Sequence, residues 1–135
     1  MRVLLWLVVT FLQRAPSLAT TATGAITCED TPVDELQLLD KAGLQHQYCI
    51  FLARRELLTR FLELNNQTKQ RLLAIEREDH GVAREALDHA DTEGDEDAKA
   101  LKGCAQMVTR TARVMASRGL KVPTCPAPTS SAPSN

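Results

Sequence analysis

The chain has 135 residues, with 16 lysine or arginine against 17 aspartate or glutamate and a formal net charge of −1. That balance, with only 4% aromatic residues, argues against nucleic-acid binding, which uses a basic surface interleaved with aromatic side chains. The length suits one small domain.

Residues 1–19, MRVLLWLVVTFLQRAPSLA, carry Arg2, an apolar run from Val3 to Leu12 broken only by Thr10, and the small-x-small site Ser17-Leu18-Ala19. This is the pattern of a secretory signal peptide. The run is too short to cross a bilayer, which takes about 20 apolar residues, so no stable membrane insertion is expected. Cleavage after Ala19 removes Arg2 and Arg14, leaving 14 basic and 17 acidic residues and a charge of −3. A secreted chain with four cysteines implies two disulfides. Cys28, Cys49, Cys104 and Cys125 are spaced symmetrically, 21 residues within each half. The spacing leaves two arrangements open: each half closes a local loop, or each chain end is tied to a distant helix.

In chain order, residues 20–27 read as a loose N-terminal segment and residues 28–125 as the folded domain. Thr31-Pro32-Val33-Asp34-Glu35 is a helix start, with Thr31 as cap, Pro32 in the first position and acids in the first turn. Val33, Leu36, Leu39 and Ala42 continue it at helical spacing, and Gly43 ends or weakens it. Leu44, Tyr48, Phe51, Leu52, Leu58, Phe61 and Leu62 form a second, broadly apolar stripe suited to a central helix. Asn65-Asn66 reads as an interruption before a stretch through Leu72, Leu73 and Ile75; one long helix bent there is the alternative. His80-Gly81 marks a break, and Val82–Ala90 a short helix. In the last helix Ala98, Leu101, Ala105, Val108, Ala112 and Met115 alternate at three and four, the spacing of a coiled-coil seam. Gly119 in the left-handed conformation, with Leu120 as its apolar contact, ends it, and Pro123 prevents resumption. Residues 126–135 read as a disordered Pro/Ser/Thr-rich tail without the hydrophobic end of a GPI signal. No stretch alternates as a strand does. The expected class is all-α: a small disulfide-stapled antiparallel bundle of four to five helices.

ALDHADTEGDEDAKAL, residues 86–101, is the one stretch that resembles a metal loop. Gly94 placed at the sixth position of a calcium loop puts His89 first and Ala100 twelfth, so both anchoring carboxylates are missing. His80 and His89 lack zinc-ligand spacing, and His46 lies on another helix. No metal site or cofactor is expected. The acids are explained instead as the N-terminus of the last helix, with Thr92 or Asp95 as cap and Asp95, Glu96 and Asp97 meeting the positive end of its dipole. Arg110, Arg113, Arg118 and Lys121 sit at the other end. What this leaves unexplained is scale. Residues 76–97 hold ten acids and two bases, while residues 98–135 hold six bases and no acid. A dipolar surface of that kind steers charged partners.

Catalysis has no foothold: there is no GxSxG, and each cysteine is better used in a disulfide than as a thiolate. The chain is not expected to be an enzyme. Asn66-Gln67-Thr68 is an N-glycosylation sequon. CIFLARRELLTRFLEL, residues 49–64, combines a wide apolar face with Arg54, Arg55 and Arg60, residue types common in binding hot spots.

The plan of signal peptide, helical body, two disulfides and sequon resembles a short-chain four-helix cytokine, and secreted effectors of parasites and pathogens share it. The likeness implies action by protein–protein recognition, on an extracellular receptor or host protein. Arg54, Arg55 and Arg60 are the candidate contacts on one surface, and Glu93, Asp95, Glu96 and Asp97 on a second. The alternative is an extracellular carrier of a small apolar ligand or lipid, as in elicitins and insect odorant-binding proteins. Those families usually carry six cysteines, at spacings that do not match this chain.

Overall fold

A computed structural model describes residues 26–126 as three helices and no strand. They are α1 (Val33–Gln37), α2 (Lys41–Glu78) and α3 (Arg84–Ser117). The signal peptide at 1–19, most of the loose segment at 20–27 and all but the first residue of the tail at 126–135 lie outside the described residues. The four to five helices expected from the sequence are three, and the bundle is an antiparallel hairpin of two long helices with one short turn of helix beside it.

The difference comes from breaks that the chain does not make. α1 is shorter than its apolar spacing suggests, because Asp40 opens a new helix by accepting a hydrogen bond from the Gly43 amide at 2.8 Å. Gly43 therefore sits in the first turn of α2 rather than ending α1. Pro32, not Thr31, is the capping residue of α1, and the Thr31 hydroxyl donates to the Glu29 carbonyl. Asn65-Asn66 lies within α2, and Gly94 lies within α3. The break expected at His80-Gly81 is the hairpin turn, where Gly81 takes φ +92°. α3 closes as read: Gly119 has φ +70°, its amide donates to the Ala116 carbonyl, and the Leu120 amide donates to the Met115 carbonyl.

Residues 44, 48, 51, 55, 58, 62, 65, 69, 72 and 76 run down the inner side of α2 at alternating spacings of four and three, none of them exposed. Residues 90, 94, 97, 101, 104, 108, 111 and 115 do the same on α3. The α3 seam shares Leu101, Val108 and Met115 with the sequence pattern. Ala98, however, is exposed, and Cys104 and Thr111 take seam positions. The alanines misled because a small apolar residue costs little on any helix face.

The core is at the end of the hairpin away from its turn. Leu36 of α1, Leu44 and Phe51 of α2, and Met107, Val108, Val114 and Met115 of α3 form one buried cluster. Cys28–Cys104 ties the segment before α1 to α3, and Cys49–Cys125 ties the segment after α3 to α2. Each chain end is thus fixed to a distant helix, and no local loop is closed. Arg118 adds a third tie, donating to the carbonyls of Gln37 and Leu39 at the end of α1. Arg118 is the C-capping residue of α3, as its place in the sequence suggested, while the last turn of α3 itself holds no basic residue.

Candidate functional site

The half of the hairpin next to the turn is built differently from the core end. Its seam carries Asn65, Lys69 and Glu76 on α2 and Gly94 and Asp97 on α3, and large apolar residues there lie open to solvent. Leu64 is 58% exposed and Phe61 40%. Polar contacts join α2 and α3 here. Asn65 Nδ2 donates to the Ala90 carbonyl at 2.9 Å, and Lys69 Nζ lies 2.5 Å from the Asp91 carboxylate. At the turn, both Glu76 carboxylate oxygens accept from the Gly81 amide at 2.9 Å, and Oε1 also accepts from the Ala83 amide at 3.1 Å. These bonds are of the kind that stabilise an ionised carboxylate. The Gly81 bond is the main cause holding the Glu76 carboxyl below its ordinary range; Arg84 and His80 add to it.

Beside this seam runs a surface groove of about 600 Å³. Phe61, Leu64 and Leu72 of α2 supply apolar lining, while Glu93, Glu96 and Asp97 of α3 supply carboxylates. The residues share a side because 61, 64, 68 and 72, like 86, 89, 93 and 97, recur at three and four along a helix of about 3.6 residues per turn. Partial burial raises the Asp97 carboxyl above its ordinary range, and the nearby charges of Glu93 and Glu96 raise it further.

Few of the carboxylates here meet a basic group among the described residues. Of the ten carboxylates in residues 76–97, only Glu76, Asp91 and Glu93 have a basic group within 4.0 Å among the described residues: Arg84, Lys69 and His89. Residues 98–135, by contrast, hold six cations and no acid. A second groove, of about 770 Å³ between α1 and α3, is lined by Lys102, Arg110 and Arg113 together with Val33 and Gln37. Arg110 is engaged there, 2.5 Å from Asp30 and donating to the Thr31 carbonyl at 2.8 Å.

The expected contact residues are therefore sorted by the fold. Glu93, Glu96 and Asp97 come together on the groove, whereas Asp95, about 200° round the helix from Glu93, faces away. None of the four starts a helix. They lie in the interior of α3, whose first turn holds only Glu85 as an acid; the Thr92 hydroxyl donates to the Asp88 carbonyl instead of capping. Arg54, Arg55 and Arg60 do not form one surface. Arg54 donates to the Thr27 carbonyl at 3.1 Å, Arg55 is half-buried on the seam, and Arg60 is exposed on another side. Sequence reasoning missed Phe61, Leu64 and Leu72 as lining of an acidic groove. The signal was the common face of positions 93, 96 and 97, hidden by reading Gly94 as a break. Asn66 is exposed and lies about 140° round α2 from Phe61, clear of the groove.

Among the described residues no group of three or more histidine, cysteine or acidic side chains is arranged to hold a metal ion. No described helix is long and apolar enough to cross a membrane. Comparison of the chain with protein-family models, with curated proteins and with solved structures gave no match.

Proposed function

We propose that this is a secreted helical protein that acts by binding another protein outside the cell, in the manner of a signalling ligand or an effector. One observation carries the reading: most carboxylates of residues 76–97 have no basic group within 4.0 Å among the described residues, and those on the groove flank exposed apolar side chains. Apolar anchors rimmed by charge are the makings of a recognition surface, and a separated charge pattern accelerates encounter with a complementary one. The cationic groove at the other end is a second contact surface, with Arg60 and Asp95 on the remaining faces. Two disulfides that tie both chain ends fit an oxidising compartment. Asn66 is the glycan acceptor, placed where a sugar leaves both grooves clear. The carrier alternative draws less support, because two helices packed along a single seam enclose little volume and both grooves lie at the surface.

Two measurements test the reading. Expressed from its full coding sequence in a secretory host, the chain should reach the medium with Thr20 at its N-terminus; retention in the cell with the leader uncleaved counts against secretion. Affinity capture from extracellular fluid should then be lost on replacing Glu93, Glu96 and Asp97 by lysine, or Lys102 and Arg113 by glutamate. Capture of the same partners by both variants would sink the recognition reading.

A further inference from the structure

The acidic groove has the form of a receptor for one element. Its α2 side, from Phe61 to Leu72, is about 16 Å long, or three helical turns. Phe61 and Leu64 stand three residues apart there, and both are substantially exposed. Across the groove Glu93, Glu96 and Asp97 form a rim whose charges repel one another. Apolar lining on one side and carboxylates on the other match an amphipathic helix that carries its apolar stripe next to a row of cations.

We infer that the groove between α2 and α3 binds a basic amphipathic helix of a partner protein, with apolar side chains seated on Phe61, Leu64 and Leu72 and lysine or arginine paired with Glu93, Glu96 and Asp97. This inference rests on the recognition reading above and names its partner by chemistry. Charge complementarity selects the occupant. An acidic or neutral helix would leave the carboxylates facing one another without relief, whereas a cation removes the repulsion that Asp97 meets from Glu93 and Glu96. A second copy of the chain is a poorer match. Its exposed cations at Lys102 and Arg113 line a concave groove between α1 and α3, and a concave face does not seat in another groove as a protruding helix does.

The probe is a synthetic helical peptide of about 12 residues, with leucine and phenylalanine on one face and lysine and arginine along its edge. It is titrated into the mature, disulfide-intact protein labelled for NMR. Resonance shifts should concentrate at Phe61, Leu64, Leu72, His89, Glu93 and Asp97. Affinity should fall about tenfold or more between low and high salt, and likewise in Glu93→Lys/Glu96→Lys. Leu64→Ser, a change at an exposed position, should weaken binding while leaving the circular dichroism spectrum unchanged. A peptide with its cations replaced by glutamate should not bind. Equal binding by a scrambled peptide of the same composition, shifts centred on the Lys102–Arg113 groove, or self-association of the free protein through this face would each overturn the inference. Failure of the peptide alone, with partner capture still abolished by the Glu93, Glu96 and Asp97 reversals, would remove the helical partner and leave the recognition reading standing.

Discussion

Asn65 on α2 donates a side-chain hydrogen bond to the Ala90 carbonyl on α3, at 2.9 Å and across 25 residues of sequence. A Cβ placed on Gly94 would stand 2.7 Å from the same Asn65 nitrogen. Gly94 is therefore no turn residue. It is a gap in the face of α3 into which the asparagine amide fits, and the two residues that look like helix breakers help to fasten the acidic half of the hairpin.

These two positions should be energetically coupled. Gly94→Ala gains about 1 kcal/mol of helix propensity but displaces the Asn65 amide, which forfeits a hydrogen bond of about 1 kcal/mol, so the single change should be nearly neutral. With Asn65→Ala already present, the same change should stabilise by close to the full propensity gain. A double-mutant cycle by chemical denaturation should give a coupling of about 1 kcal/mol; strict additivity would contradict the contact.

Glu76 should make the turn sensitive to acid. Its carboxyl is held below its ordinary value of about 4.5, mainly by the Gly81 amide, so the native state favours the ionised form. A lowered native pKa stabilises above the unfolded value and is lost as pH falls through the native one. Glu76→Gln should therefore lower the melting temperature at neutral pH, and the gap to wild type should close in acid. Melting curves that differ by the same amount at all pH values would refute this.

Asp97 has the opposite sign. Burial, then Glu93 and Glu96, raises its carboxyl, so the native state favours the protonated form and stability tends to rise as pH falls through the raised native value. Asp97→Asn removes a like-charge pair four residues apart with Glu93 and should stabilise by about 0.5 kcal/mol at neutral pH. The gain should shrink in acid and in high salt. A loss of stability at neutral pH would mean that Asp97 has a counterion not identified among its neighbours.

The disulfides should matter more than any single side chain. Each joins cysteines 76 residues apart, and a loop of that length implies about 4 kcal/mol in the chain-entropy model. Cys28→Ser/Cys104→Ser and Cys49→Ser/Cys125→Ser should each lower stability by roughly 2 to 5 kcal/mol. The protein lacking both should lose its cooperative melt, because the buried cluster is small and confined to one end of the hairpin. Peptide mapping without reduction should recover Cys28 linked to Cys104 and Cys49 linked to Cys125. Recovery of Cys28 with Cys49 would overturn the topology.

The candidate site was half legible in the sequence. The acids at 93, 96 and 97 were visible as a charged surface, but their shared face was not, because it exists only if α3 continues through Gly94. The apolar side of the groove was hidden for a related reason: Phe61 read as core of a central helix, and two helices cover neither it nor Leu64. The three arginines looked like a patch by closeness in sequence, while helical geometry sends them to different sides.

The sequence by itself determined what local chemistry decides. It set the helical class through apolar spacing, the turn at Gly81 and the close at Gly119 through positions that need a left-handed backbone, and the separation of charge between the two halves. The tertiary structure decided the number of helices and the cysteine partners. Asparagine and glycine cost a helix only about 1 kcal/mol or less each, a penalty that a contact from the facing helix offsets, as Asn65 does at Ala90 and Gly94. Equal cysteine spacing cannot distinguish local from distant pairing. Antiparallel packing of α2 on α3 does, by carrying the two chain ends to helices that lie far from them in sequence.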